Sequence, residues 1–76
     1  MTKSELERQL GILGVHPNSY SLGVLKNSDC VCVVHENTQW NIYYVERDRP
    51  SLLSSFLQEE EAYDFVLKQF KKWLSK

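Results

Sequence analysis

Apolar residues recur along this chain with two periods. Near the N-terminus Leu6, Leu10 and Leu13 fall at helical spacing, with Ile12 at the margin of the stripe, and predict a helix over 4–13. Ser4 and Glu7 have the spacing of a capping box, and Gly14 is a natural C-terminal stop. His16, Pro17 and Asn18 read as a turn. The period then shortens. Tyr20–Leu22 reads as a short strand, closed by Gly23 and the polar cluster Lys26, Asn27, Ser28 and Asp29. Cys30–His35 is a second, valine-rich strand. Glu36–Gln39 is a turn, and Trp40–Glu46 a third strand, so the two longer strands should form an antiparallel hairpin. Alternation sends Trp40, Ile42 and Tyr44 to one face, which is the more apolar and should meet the helices. Asn41, Tyr43 and Val45 go to the other.

Pro50 and its charged neighbours read as a strand break. Leu52–Phe56 then reads either as a short edge strand or as an extended approach to the last helix. Residues 58–75 carry the helical period again, with Ala62, Tyr63, Val66, Phe70, Trp73 and Leu74 on one stripe. Glu59, Glu60 and Glu61 crowd its first turn, and Lys68, Lys71, Lys72 and Lys76 its C-terminal half. Both placements complement the helix dipole. The expected fold is α+β, in the order α-β-β-β(-β)-α. It is a two-layer sandwich with an antiparallel sheet and both helices on one face. With 76 residues, the whole chain 1–76 reads as a single domain with a thin core.

Charge alters this picture little. The formal net charge is -1, an ordinary balance with no basic surplus to hold nucleic acid. Double-stranded RNA-binding domains share the helix–sheet–helix order, but they grip phosphate with a basic cluster at the start of the last helix. Here three glutamates stand at that place, which argues against RNA. Phe70 and Trp73 beside the lysines could suggest a membrane-surface helix, yet they lie on the stripe the sheet needs for its core. No apolar run is long enough to span a membrane.

Cys30 and Cys32, the whole thiol inventory, lie two apart on one strand face, where a disulfide would be strained. Free buried thiols in a reducing cytoplasm are the expectation. With only His16 and His35 as further soft ligands, neither a metal nor another cofactor is expected. Enzyme chemistry is not expected either. The three glycines fit no phosphate loop, Cys32 and His35 point to opposite faces, and the dipole already accounts for Glu59–Glu61.

Three runs carry a resemblance: "GVHPNSYSL" (14–22), "WNIYYVERDR" (40–49) and "SFLQEEEAYDFV" (55–66). Together they resemble small bacterial immunity proteins encoded beside secreted polymorphic toxins. That pattern has a Tyr-Ser-Leu strand after a proline turn, a Trp-x-Val-Tyr-Tyr strand ending in Glu-Arg-Gly, and an acidic-Ala helix start. The matching positions are Tyr20, Ser21, Leu22, Trp40, Tyr43, Tyr44, Glu46, Arg47, Phe56 and Ala62, and the resemblance runs from about residue 12 to 74. One departure is Asp48, which stands where the pattern has glycine; aspartate tolerates a left-handed turn less well.

The resemblance implies a non-enzymatic module that neutralises a cognate toxin domain by direct binding. The partner-binding candidates are Tyr43, Glu46, Arg47, Asp48 and Arg49, a docking edge anchored by Tyr43 and Arg47. The bland reading of the same run is a solvated turn whose alternating charges cancel as surface ion pairs. The alternative function is a self-associating structural or regulatory protein, a homodimer paired through an exposed strand at 20–25 or 52–56.

Overall fold

The computed structural model describes residues 1–75. The first helix, α1, spans Lys3–Ile12. A 3-10 turn at Pro17–Ser19 leads into β1 (Tyr20–Leu22). β2 (Cys30–Glu36), β3 (Gln39–Glu46) and β4 (Arg49–Phe56) follow, and α2 (Glu59–Leu74) ends the fold. The sheet order is β1-β2-β3-β4, so β1 and β4 are its edges. The α+β fold expected from the sequence is present, with the helices on one face of a four-stranded sheet.

Three local expectations are corrected. The N-cap of α1 is Thr2, whose hydroxyl accepts from the Glu5 main-chain N–H at 3.2 Å, in place of the Ser4–Glu7 box. At its other end Gly14 does stop the helix. With φ +86 it lets Val15 N–H reach Leu10 O at 2.9 Å while Gly14 N–H reaches Gly11 O at 3.0 Å, a Schellman closure.

The sheet is mixed, because β1 runs parallel to β2, with Tyr20 opposite Val31 and Leu22 opposite Val33. Parallel neighbours usually need a crossover of about a dozen residues or more. A shorter return over residues 23–29 suffices here because β1 has only 3 residues. Gly23, at φ +127, reverses the chain and adds one more ladder bond to Val33 O at 2.8 Å. The Ser21 hydroxyl donates to Val24 O at 2.8 Å, which holds the returning segment on the face away from the helices.

The third correction concerns Pro50, which does not break a strand. It pairs with Val45 inside an 8-residue β4. Two-residue turns leave Glu46 and Arg49 as the closing pair, so Val45 and Pro50 occupy the adjoining non-hydrogen-bonded position. The side on which proline lacks an N–H then faces the free edge, where no ladder bond is lost. Residues 52–56 are therefore a fourth strand. Its register shifts at Ile42/Tyr43, where Leu53 is left without an opposite residue.

The core lies between sheet and helices. Leu6 and Leu10 of α1 and Ala62, Tyr63, Val66, Leu67 and Phe70 of α2 pack on Tyr20, Val31, Val33 and Ile42. Trp40 and Tyr44 pack against the same cluster, as the alternation of β3 predicts. Trp40 also stacks flat on His35, with ring centroids 4.1 Å apart. The stripe on α2 differs from expectation at two positions: Leu67 in mid-helix is buried too, whereas Leu74 is 56% exposed one residue before the helix cap. A second, smaller cluster forms on the opposite face from Cys30, Cys32 and Val45, with Val34 and Tyr43 against it.

Both hairpins turn through two residues in left-handed conformation, Asn37 (φ 48) with Thr38 (φ 64) and Arg47 (φ 52) with Asp48 (φ 64). This is type I′ geometry, which matches strand twist but favours Asn-Gly. A β-branched residue is the least suited to it, so Thr38 is the most strained of the four. Thr38→Gly is expected to stabilise the fold by about 1 kcal/mol, raising Tm by roughly 4–8 °C. Thermal melts of the two proteins would check this, and an unchanged or lower Tm would contradict it.

Tyr63 links the core to an expected pH dependence. Its hydroxyl donates to Glu59 Oε2 at 3.2 Å. Burial, then the Glu59 charge, pushes its pKa from 10.0 up to about 12. Burial beside Cys32 likewise raises the Cys30 thiol from 9.0 to about 11. In both groups the fold retains the proton more tightly than the unfolded chain does. The associated stability is complete below pH 9 for Cys30 and below pH 10 for Tyr63, and is lost as pH climbs toward the folded values. Urea midpoints measured at about pH 8, 10 and 11 should fall steadily. Tyr63→Phe should fall less steeply, and an identical slope would contradict the assignment.

Candidate partner-binding rim

Glu46, Arg47, Asp48 and Arg49 form the end of the β3–β4 hairpin. Arg47 and Asp48 are the turn itself, so the aspartate at the pattern's glycine position does accept the left-handed conformation. The turn is tied down from outside its own hairpin. The Arg47 main-chain N–H donates to Asp29 Oδ1 at 2.9 Å, a bond between residues 18 apart. Asp29 stands immediately before Cys30, and Cys30 pairs with Val45, so β2 carries the carboxylate to the turn. A charge-assisted bond of this kind contributes about 1.5–3 kcal/mol where it is shielded and less in the exposed setting here.

Glu46 and Arg49 lie opposite each other across the strands, on the side the helices occupy elsewhere. With Arg47 and Ser51 they line a hollow of about 490 Å³. All four are exposed. Among the described residues the one ion pair within 4.0 Å is Arg8 with Glu5 on α1, at 3.0 Å. The rim charges therefore do not cancel one another as surface pairs. Two guanidinium groups, each with a planar fork of donors, flank a carboxylate and a hydroxyl. Such a set can bind a carboxylate, a main-chain carbonyl or a mixed-charge surface.

Tyr43 belongs elsewhere. It lies on the opposite face of β3, and its hydroxyl donates to Glu36 Oε1 at 3.1 Å, near the other hairpin. That bond to Glu36 raises its pKa above the ordinary value, with burial second. Of the five sequence candidates, Glu46, Arg47 and Arg49 share the hollow, Asp48 occupies the turn tip, and Tyr43 does not join them.

Asp29 and Ser51 are the additions. Asp29 reads in sequence as one more polar loop residue, because a bond spanning 18 positions leaves no local signature. Ser51 was hidden by reading Pro50 as a break. No group of three or more His, Cys, Asp or Glu side chains converges among the described residues in a way that could hold a metal ion. No helix among them is long and apolar enough to cross a membrane. Compared with protein-family models, with curated proteins and with solved structures, the chain gives no significant match to any of them.

Proposed function

We propose that this chain is a non-enzymatic protein-binding module, an immunity protein that neutralises a cognate bacterial toxin domain by direct binding in the cytoplasm. The observation that carries the reading is the rim. It combines exposed charges without ion-pair partners and a hairpin turn whose main chain Asp29 fixes before a partner arrives. Pre-ordering of this kind lowers the entropic cost of association. Arginine is also among the residues enriched where binding energy concentrates. The resemblance of three sequence runs to immunity proteins supports a toxin domain as the partner class.

The test is to co-express the chain with the variable C-terminal domain of any secreted protein found encoded beside its gene, followed by co-purification. Rescue of growth and a stable complex are expected. Arg47→Ala with Arg49→Ala should weaken the complex at least about tenfold without altering the fold, since both side chains are exposed. Failure to rescue cells and to form a complex would overturn the reading. Rescue with undiminished affinity in the double variant would remove the rim from it.

A further inference from the structure

Away from the rim, the side of the molecule where α2 meets the free edge of β4 carries a second hollow, of about 290 Å³, lined by Phe56, Glu61, Asp64, Phe65 and Lys68. Its apolar part is a pair of half-exposed phenylalanines, with ring centroids 5.5 Å apart. Leu57, next to Phe56, is 73% exposed, and Leu53 on β4 is 38% exposed. On α2 the positions Glu61, Phe65, Lys68 and Lys72 follow helical spacing along one stripe, and three of them line this hollow. That stripe is acidic at one end, aromatic in the middle and basic at the other.

We propose that this face is self-complementary and seats a second copy of the chain, with the two α2 helices antiparallel about a two-fold axis near Phe65. A two-fold contact places each surface patch on its own copy. Antiparallel α2 helices then set the Glu61 end of one against the Lys68 end of the other, twice, with the Phe65 rings meeting at the axis. Asp64, beside Phe65 in the same hollow, shares the copy's Lys68 with Glu61 as its countercharge. A parallel arrangement would oppose like charges along the whole stripe. Charge segregation that a single chain can satisfy by itself favours a second copy over an unrelated partner.

The contact is made by side chains and does not extend the sheet. Pro50 denies the outer edge of β4 a donor, and the register shift leaves Leu53 unmatched, two features that blunt an edge against strand pairing. The pairing differs in this respect from association through an exposed strand. Its extent is modest. A helix of 16 residues is about 24 Å long, and one stripe of it with the adjoining phenylalanines falls at the low end of specific interfaces. A dimer of roughly micromolar Kd is expected, weakened further by salt.

The test uses the purified full chain alone, so its outcome is separate from that of the toxin experiment. Sedimentation equilibrium from micromolar to millimolar concentration should show reversible monomer and dimer. Glu61→Lys alone and Lys68→Glu alone should each raise the dissociation constant at least about tenfold. The combined Glu61→Lys, Lys68→Glu variant should return it to near the starting value. Both side chains are exposed, so circular dichroism should report an unchanged fold for all three. A monomer at every concentration would overturn the proposal. So would a dimer indifferent to the single reversals, or a combined variant that fails to recover.

Discussion

Ile42→Ala is expected to cost about 2–5 kcal/mol and to leave a substantial fraction of the chain unfolded at physiological temperature. Ile42 is 0% exposed and lies in β3, one of the two central strands of the sheet. It stands between Val33 of β2 and Ser54 of β4 and faces the cluster built by α1 and α2. Serine on one side cannot fill the space left by the three lost carbons, and Val33 is held in its own strand. The cavity would therefore persist, and the cost belongs toward the upper part of that range. A chain of 76 residues has a total stability of roughly 4–11 kcal/mol, so the loss removes a large share of it. Urea unfolding would read the change as a midpoint lowered by about 2 M or more. The adjacent residue supplies the control. Asn41 faces the other side, where it accepts from the Ser55 hydroxyl at 2.7 Å. Asn41→Ala should cost about 1 kcal/mol or less. Equal costs at 41 and 42 would mean that the two faces of β3 have been assigned the wrong way round.

That assignment was legible in the sequence because period-2 alternation is strong in β3 and one face of it is clearly more apolar. The helices were legible for the same reason, although the stripe on α2 left out Leu67 and ran one residue too far, to Leu74. Strand direction was another matter. A short strand followed by glycine and a polar cluster is compatible with either a hairpin or a return loop. Nothing local distinguishes them, because the choice is made by where β1 finds an unpaired edge. Pro50 misled for a related reason. Proline excludes a central strand position, but on an edge half of the N–H positions face solvent and proline is harmless there. Of the rim, the charges were visible and their tether was not, since Asp29 acts across 18 residues. Tyr43 looked like a rim residue by adjacency, while the pleat turns it to the other face.

The small cluster on that other face leads to the second large effect. Cys30 and Cys32 are free and buried, with their sulfurs 3.4 Å apart. They have unlike surroundings. Ser28 and Lys26, both on the return segment of residues 23–29, lie near enough to Cys30 to favour its thiolate. Cys32, 0% exposed, has Cys30 as its side-chain hydrogen-bonding neighbour and otherwise sits in a cluster with Val45, Val34 and Tyr43. A thiol tolerates such a place because it is a small hydrophobe with a weak donor. A hydroxyl does not, because it must keep a hydrogen bond or lose about 1–3 kcal/mol. Cys32→Ser is therefore expected to destabilise by about 2 kcal/mol, and Cys30→Ser by less than half of that, since Ser28 stands near enough to meet the new hydroxyl. Cys32→Ala isolates the polar contribution, because it removes the sulfur without adding a hydroxyl, and should cost less than Cys32→Ser. Urea unfolding under reducing conditions would rank the three. If Cys30→Ser proved as costly as Cys32→Ser, the return segment would not be covering Cys30, and the crossover that makes β1 parallel would lose its anchor on this face.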